Sequence, residues 1–131
     1  MKPSPSPVLI VDDHEDTRRL LVELLELEGY DVQAVSTGRA ALALVARVSP
    51  CLVLLDLGLP DIPGVELARE LRRMKATAGA PIYALSGFSH LYAEALTAGC
   101  DGFLLKPLLP AELRAVLARH CTNRPRKISV A

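Results

Sequence analysis

The chain has 131 residues, of which 50% are hydrophobic and 23% are charged, and its 15 Lys and Arg balance 15 Asp and Glu. This length suits one domain with a substantial core, and the composition is typical of globular rather than disordered or fibrous proteins. Because the formal charge is zero, the chain lacks the positive field that attracts nucleic acids or anionic membranes. We therefore expect neither as a direct partner.

The sequence also predicts a cytoplasmic location and a reduced set of thiols. No apolar run approaches the roughly 18 residues of a membrane span, and the Pro/Ser-rich segment 1–7 lacks the apolar centre of a secretory signal. Cys51, Cys100 and Cys121 lie far apart in the sequence and form no CxxC or Cys/His pair. We expect them to be reduced and to act as small apolar residues.

Strands and helices alternate five times along the chain. Val8–Val11 is a short, continuously apolar run, which is typical of a strand buried on both faces. Leucines at helical spacing predict a helix over Asp16–Glu28 that ends before Gly29. The other predicted strands are Tyr30–Val35, Leu52–Leu55, Pro81–Leu85 and Gly102–Leu105, and the other helices run from the capping residues 36–39 to about Val48, over Val65–Met74, over Tyr92–Ala98 and from Pro110 onward.

This alternation predicts a single α/β domain, a doubly wound sheet of five parallel strands with five helices on its two faces. We assign the domain to residues 8–121. Residues 1–7 are predicted to be a flexible leader, and residues 122–131 a flexible basic tail.

Polar residues stand where four of the predicted strands end. Asp12 and Asp13 follow the first strand, Asp56 ends the third, and Ser86 and Lys106 follow the fourth and fifth. In open parallel sheets, the side chains that bind ligands or catalyse reactions lie at the carboxyl ends of the strands. We therefore expect three carboxylates, a hydroxyl and an ammonium at one edge.

This set of groups favours phosphoryl chemistry. Three neighbouring carboxylates raise one another's pKa unless a cation joins them, and Mg²⁺ binds well to a few carboxylates, water and a phosphate oxygen. An Asp carboxylate can then attack phosphorus to form an acyl phosphate. Asp56 is the predicted nucleophile because it ends a central strand, and Ser86 and Lys106 are predicted to contact phosphoryl oxygens.

The motifs together resemble those of response-regulator receiver domains of two-component systems, from Val8 to about His120. The matching segments, in chain order, are Val11-Asp12-Asp13, Leu55-Asp56, Leu59-Pro60-Asp61 with Gly64, Leu85-Ser86-Gly87 and Leu105-Lys106-Pro107. The resemblance implies a flavodoxin-like fold and a signalling domain rather than an enzyme, with catalysis limited to its own phosphorylation and dephosphorylation.

The resemblance also implies a role for each site residue. Asp13 and Asp56 would bind Mg²⁺ directly, Asp12 through water, and Gly58 through its backbone carbonyl. Ser86 and Phe103 would be the switch residues, and the Lys106-Pro107 bond would be cis, which only proline allows at low cost.

The implied phosphodonor is a histidine kinase or a histidine phosphotransfer protein. The implied output is a switched protein-binding surface on the fourth helix, fifth strand and fifth helix, read by an effector that the sequence does not identify. Because no further domain follows Ala131 in this sequence, we expect that effector to be a separate protein or a missing domain.

Other interpretations explain fewer of these residues. Asp12 and Asp13 suit the positive N-terminus of a helix, but this does not explain Asp56 and Lys106. A module of this fold that binds partners without phosphorylation is the main alternative. A hydrolase is disfavoured because Gly58 stands where its second acid would be, and flavin binding because acids would repel its phosphate. We expect His14, His90 and His120 to lie on the surface without a role.

Overall fold

The computed structural model describes residues 6–122. Its elements are β1 (Val8–Val11), α1 (Glu15–Leu27), β2 (Val32–Val35), α2 (Gly38–Val45), β3 (Leu52–Asp56), α3 (Gly64–Arg73), β4 (Ile82–Ser86), a 3-10 turn (Ser89–Leu91), α4 (Tyr92–Thr97), β5 (Gly102–Leu105) and α5 (Pro110–His120). The strands form one parallel sheet in the order β2-β1-β3-β4-β5. The predicted fold class is confirmed. Nearly all of the predicted leader and tail lies outside the described residues.

The strands separate two apolar cores. On β1, Leu9 and Val11 pack with residues of α2, α3 and α4, whereas Val8 and Ile10 pack with residues of α1 and α5. Every residue of β1 and β3 is buried, because helices cover both faces of the sheet. This explains why these strands are continuously apolar rather than alternating. Within residues 6–122, no helix has both the length and the apolar character to cross a membrane.

Local signals in the sequence set several helix ends. The Thr37 hydroxyl accepts a hydrogen bond from the backbone N–H of Ala40 and so caps α2. Pro110 is the first residue of α5, where its missing N–H costs nothing. Gly29 and Gly99 follow α1 and α4 with φ of 89° and 109°, a conformation that favours glycine.

The expectation of three reduced thiols is wrong for two of the cysteines. Cys51 and Cys121 form a disulfide with a Cα–Cα distance of 5.6 Å. They are 70 residues apart in sequence, but the fold places the end of α5 beside the start of β3. Cys100 is a free, buried thiol, and burial raises its pKa to about 11.

Reduction of this disulfide is expected to lower the free energy of unfolding by about 2–4 kcal/mol, because the cross-link restricts the unfolded chain. Urea unfolding with and without a thiol reductant measures the difference. A Cys51→Ser, Cys121→Ser double variant is the control, since its stability should not respond to reductant. Equal stability of the oxidised and reduced wild type would contradict the expectation.

The loop after β3 stabilises the start of α2. The Asp61 carboxylate accepts hydrogen bonds from the backbone N–H groups of Gly38 and Arg39, both at 2.9 Å. These bonds, with that from Arg39 the largest cause, lower the pKa of Asp61 below its ordinary value of 3.8. The acid therefore caps a helix that begins 23 residues earlier in the chain.

The Asp61→Ala variant is expected to be less stable than the wild type at neutral pH. Because the folded-state pKa is depressed, the contribution of Asp61 is complete above the ordinary pKa and disappears as the pH falls through the folded value. The gap in urea midpoint between the two proteins should thus close in acid. Asp31→Ala, at another exposed aspartate, controls for the loss of a surface carboxylate as such. A gap independent of pH would argue against the charged cap.

Candidate functional site

The ends of β1, β3 and β5 bring two acids and a lysine into contact. Asp12 follows β1, Asp56 ends β3 and Lys106 follows β5. The Lys106 ammonium donates a hydrogen bond to Asp56 Oδ2 at 3.1 Å and lies 3.7 Å from Asp12 Oδ2. One cation is thus shared between two carboxylates that come from neighbouring strands.

Both of these carboxylates are removed from water. Asp12 is 0% exposed and Asp56 is 4% exposed. Burial raises the pKa of Asp12 above its ordinary value and the charge of Asp56 adds to the rise, while the backbone N–H of His14 and the Lys106 ammonium oppose it. The pair is therefore held at an energetic cost unless further positive charge is supplied.

Only some of the carboxylate oxygens of Asp12, Asp13 and Asp56 accept hydrogen bonds. The backbone N–H of His14 donates to Asp12 Oδ1, and that of Gly58 donates to Asp56 Oδ1, both at 2.9 Å. Asp12 Oδ2 and Asp13 Oδ1 are buried atoms that accept no hydrogen bond from the described residues. Lys106 Nζ lies 3.7 Å from Asp12 Oδ2, and His14 Nδ1 lies 3.4 Å from Asp13 Oδ1, but neither contact forms a hydrogen bond.

The unsatisfied oxygens fit a divalent cation. One ligand atom from each of Asp12, Asp13, Asp56 and His14 can be chosen so that all four lie within 4.8 Å of one another. Carboxylate oxygens on an open edge, with room for water, are what Mg²⁺ prefers. The three aspartates are therefore the residues that can hold this ion. The Gly58 N–H faces Asp56, and the role of its carbonyl stays a prediction.

His14 is a neighbour of the acids that the sequence reading missed. Its side chain is 68% exposed, as a surface histidine should be, but Nδ1 lies 3.4 Å from both Asp12 Oδ1 and Asp13 Oδ1 and 3.9 Å from Asp56 Oδ2. The available signal was its position directly after Asp13, at the start of α1. His14 lies in the short connection between β1 and α1. This position keeps its side chain near the carboxyl edge of the sheet, where the acids lie.

Ser86 lies at the same edge, on the wall of an open cleft. Its hydroxyl oxygen accepts a hydrogen bond from the backbone N–H of Phe88 at 3.0 Å, so its hydrogen stays free to be donated. The cleft has a volume of about 290 Å³ and is lined by His14, Asp56, Leu57, Gly58, Ser86, Gly87, Phe88, Leu91 and Lys106. Gly58 and Gly87 carry no side chain to narrow it.

Phe103 lies away from the acids. It is partly buried on β5, on the side of the sheet that faces α4, and its ring meets the Tyr92 ring edge-on with centroids 5.7 Å apart. The Lys106-Pro107 bond is cis, as the resemblance implied. The structure thus separates the cleft beside Asp56 from an aromatic pair that lies nearer the outer surface.

A doubly wound parallel sheet whose carboxyl edge carries three acids, a hydroxyl and a lysine defines a class of α/β domains with their functional residues at the strand ends. Residues 8–118 match the family model for the response regulator receiver domain. The chain therefore belongs to the response regulator receiver domain family of two-component systems.

Curated relatives agree with this assignment. The KDP operon transcriptional regulatory protein KdpE of Escherichia coli is 42% identical over 119 residues, which cover 86% of this chain and 52% of that protein. The DNA-binding response regulator MtrA of Mycobacterium tuberculosis is 35% identical over 130 residues, covering 95% and 56%. The chain thus spans about half the length of the curated relatives it matches.

Solved structures show the same fold. The chemotaxis response regulator CheY4 of Vibrio cholerae superposes with a TM-score of 0.82 at 28% identity, covering 88% of this chain and 98% of that one. The receiver domain of the sensor histidine kinase PA1611 from Pseudomonas aeruginosa, solved with magnesium in its active-site cleft, has a TM-score of 0.81 at 28% identity, covering 89% and 98%. The BeF3-activated receiver domain of Klebsiella pneumoniae RstA has a TM-score of 0.79 at 30% identity, covering 88% and 97%.

The loop that positions Asp56 depends on close backbone packing at Gly64. A Cβ at Gly64 would overlap the Cα of Leu57, lie 2.8 Å from Leu57 Cδ2 and lie 3.0 Å from the backbone oxygen of Asp56. The Gly64 N–H also donates to the Leu57 carbonyl at 3.2 Å. The residues on either side of this contact therefore have little freedom to move apart.

Gly64→Ala is expected to lower the free energy of unfolding by about 1–3 kcal/mol, the usual cost of overpacking. Chemical denaturation measures the change. Gly79→Ala is the matched control, because a Cβ at Gly79 would meet nothing within 4 Å. Equal stability of the two variants would show that the loop relaxes around the added methyl group.

Proposed function

We propose that this chain is a phosphoacceptor domain of a two-component phosphorelay, phosphorylated on Asp56 in the presence of Mg²⁺. The observation that carries the proposal is the contact of Lys106 with Asp56, 3.1 Å long, beside buried carboxylate oxygens of Asp12 and Asp13 that lack hydrogen bonds. Such a site has a nucleophile, a cation for the phosphoryl group and acceptors for a metal. Acids with a purely structural role would be expected to have hydrogen bonds to all of their buried oxygens.

The proposed step begins with attack of an Asp56 carboxylate oxygen on the phosphorus of a phosphohistidine. The new O–P bond forms as the P–N bond breaks, and the imidazole leaves, so the product is an acyl phosphate. Bound Mg²⁺ would neutralise charge on the phosphoryl oxygens. Asp13 and Asp56 would hold the ion directly, Asp12 through water, and the Gly58 carbonyl would be a further ligand.

Lys106 and Ser86 would bind the transferred group. The Lys106 ammonium already contacts Asp56 Oδ2 and has other N–H bonds with which to reach a phosphoryl oxygen. The Ser86 hydroxyl currently accepts from Phe88, so it can donate its own hydrogen to a second phosphoryl oxygen. The domain would promote its own phosphorylation and dephosphorylation rather than act on a separate substrate.

The same contacts would switch the surface formed by α4, β5 and α5. Ser86 ends β4, and its movement toward the phosphoryl group would free space behind it for an inward turn of Phe103. Phe103 packs against the half-exposed ring of Tyr92 on α4, so its rotation would change what α4 presents to a partner. Phosphorylation would then bias two packings of one surface.

The proposed donor is a histidine kinase or a histidine phosphotransfer protein, and the proposed effector is a separate protein or a domain beyond this sequence. The DNA-binding activity named for MtrA belongs to that protein, and we propose no nucleic-acid or membrane partner for the domain described. We place the protein in the cytoplasm by its family. The Cys51–Cys121 disulfide is unusual for that compartment, where thiols are normally kept reduced.

A module that binds partners without phosphorylation remains the alternative. It would not need the Lys106–Asp56 contact or the unsatisfied oxygens, and replacing these residues would leave partner binding intact. The two functions therefore differ in whether Asp56 forms an adduct.

Mixing the protein with Mg²⁺ and beryllofluoride, or with a small-molecule phosphodonor, is expected to give an adduct on Asp56. Binding followed by fluorine NMR, and intact mass for the phosphodonor, measure it. Asp56→Asn should form no adduct because the amide is not a nucleophile, and Asp13→Asn should form much less because a metal ligand is lost. Asp16→Asn, an acid on the first turn of α1, should react like the wild type.

Failure of the wild type under conditions in which a known receiver domain reacts would overturn the proposed function. An adduct that persists in Asp56→Asn would overturn the assignment of the phosphoacceptor.

A further inference from the structure

We propose that His14 is an additional ligand for later transition metals at the acidic site, which makes that site a mixed oxygen and nitrogen centre when Co²⁺ or Zn²⁺ replaces Mg²⁺. The proposal rests on the metal site of the proposed function and concerns how His14 changes the affinity of that site for different cations. A site of carboxylate and carbonyl oxygens suits Mg²⁺, whereas imidazole suits the later transition metals and Zn²⁺.

The first argument is the position of Nδ1. It lies 3.4 Å from Asp12 Oδ1, 3.4 Å from Asp13 Oδ1 and 3.9 Å from Asp56 Oδ2, close to all three acids at once. Ligand atoms around one divalent ion stand about 3–4 Å apart, given metal–ligand distances near 2.1 Å. The imidazole therefore occupies a place at which a ligand would stand.

The second argument is the unsatisfied acid beside it. Asp13 Oδ1 is a buried oxygen that accepts no hydrogen bond within the described part of the chain, and Nδ1 is 3.4 Å from this same oxygen. Asp12 Oδ2 is buried in the same way, in a side chain that is 0% exposed. A cation placed between these atoms would satisfy both oxygens and the ring nitrogen together.

The third argument is that a hydrogen bond holds the His14 backbone while its imidazole ring is mostly exposed to solvent. The His14 N–H is held by Asp12 Oδ1, and α1 begins at the next residue. The side chain is 68% exposed, and within residues 6–122 the ring nitrogen contacts only the three carboxylates. The exposed imidazole therefore has room to change its rotamer while the backbone at the start of α1 stays held.

The other two histidines provide a comparison within the chain. His120 contacts the Tyr83 hydroxyl at 3.1 Å, and His90 packs against Phe88 with ring centroids 5.7 Å apart. Neither belongs to the metal-binding group of acids. His90 is exposed like His14 and is therefore a suitable control for metal binding to any surface imidazole.

An imidazole ligand should affect the binding of some cations more than others. A neutral imidazole donates its Nδ1 lone pair, which strengthens binding along the series from Mn²⁺ to Cu²⁺ and to Zn²⁺ but adds little for Mg²⁺. Loss of His14 should therefore weaken Co²⁺ and Zn²⁺ binding and leave Mg²⁺ binding almost unchanged. Loss of a shared carboxylate ligand should weaken all of them.

Calorimetric titration of the whole chain with MgCl₂, ZnCl₂ and CoCl₂, at about pH 8 where imidazole is mostly neutral, tests the proposal. The proteins are the wild type, His14→Gln, His90→Gln and Asp13→Asn. His14→Gln is expected to weaken Co²⁺ and Zn²⁺ binding by about tenfold, which corresponds to about 1.4 kcal/mol, and to change Mg²⁺ affinity by less than about twofold.

The visible absorption of bound Co²⁺ gives a second readout, because its bands depend on the ligands. The spectrum of His14→Gln should move toward that of an all-oxygen site, and His90→Gln should keep the wild-type spectrum. Circular dichroism verifies that the variants are folded.

Unchanged Co²⁺ affinity and spectrum in His14→Gln would overturn the role of His14, as would an equal loss for Mg²⁺ and Co²⁺. A loss in His90→Gln equal to that in His14→Gln would show binding to surface imidazoles and would also overturn it. Wild-type protein that binds no cation, or Asp13→Asn that binds all of them normally, would instead overturn the metal site of the proposed function. The two proposals therefore fail in different ways.

Discussion

The site depends on two aspartates that the fold removes from water and places within reach of one lysine. Asp12 follows β1 and Asp56 ends the adjacent strand β3, so burying the sheet buries them too. Lys106 supplies one positive charge for both, and one charge does not satisfy two carboxylates with a third, Asp13, at the entrance. The remaining requirement for positive charge makes this edge of the sheet suitable for a divalent cation.

The parallel sheet produces this arrangement because it directs every strand toward the same edge. The apolar parts of β1 and β3 hold the acids in fixed positions, and the loop between β3 and α3 completes the edge. Gly64 packs directly against Leu57, the residue after Asp56, while Asp61 caps α2. The loop between β3 and α3 thus connects Asp56 to the packing of two helices, and a change there would alter both stability and site geometry.

Two features of this chain lie outside the set of residues that the family resemblance implied. His14 adds an imidazole to the acid set, at the end of the sheet where the chemistry would occur. The Cys51–Cys121 disulfide lies at the opposite end, since Cys51 precedes β3 and Asp56 ends it. The cross-link therefore acts on the anchoring of α5 and on stability, and it leaves the composition of the acidic edge unchanged.

The sequence by itself determined the element order, the sheet class and the residues at the strand ends. Continuous apolar runs and helical spacing are patterns among neighbouring residues, so they can be recognised without the fold. The tertiary structure alone decided the contacts of Asp61 with α2, of His14 with three acids and of Cys51 with Cys121. These partners belong to different elements or depend on the direction in which a side chain turns at a strand end. Local periodicity records whether a residue is buried, but only the folded topology decides which distant residue it meets.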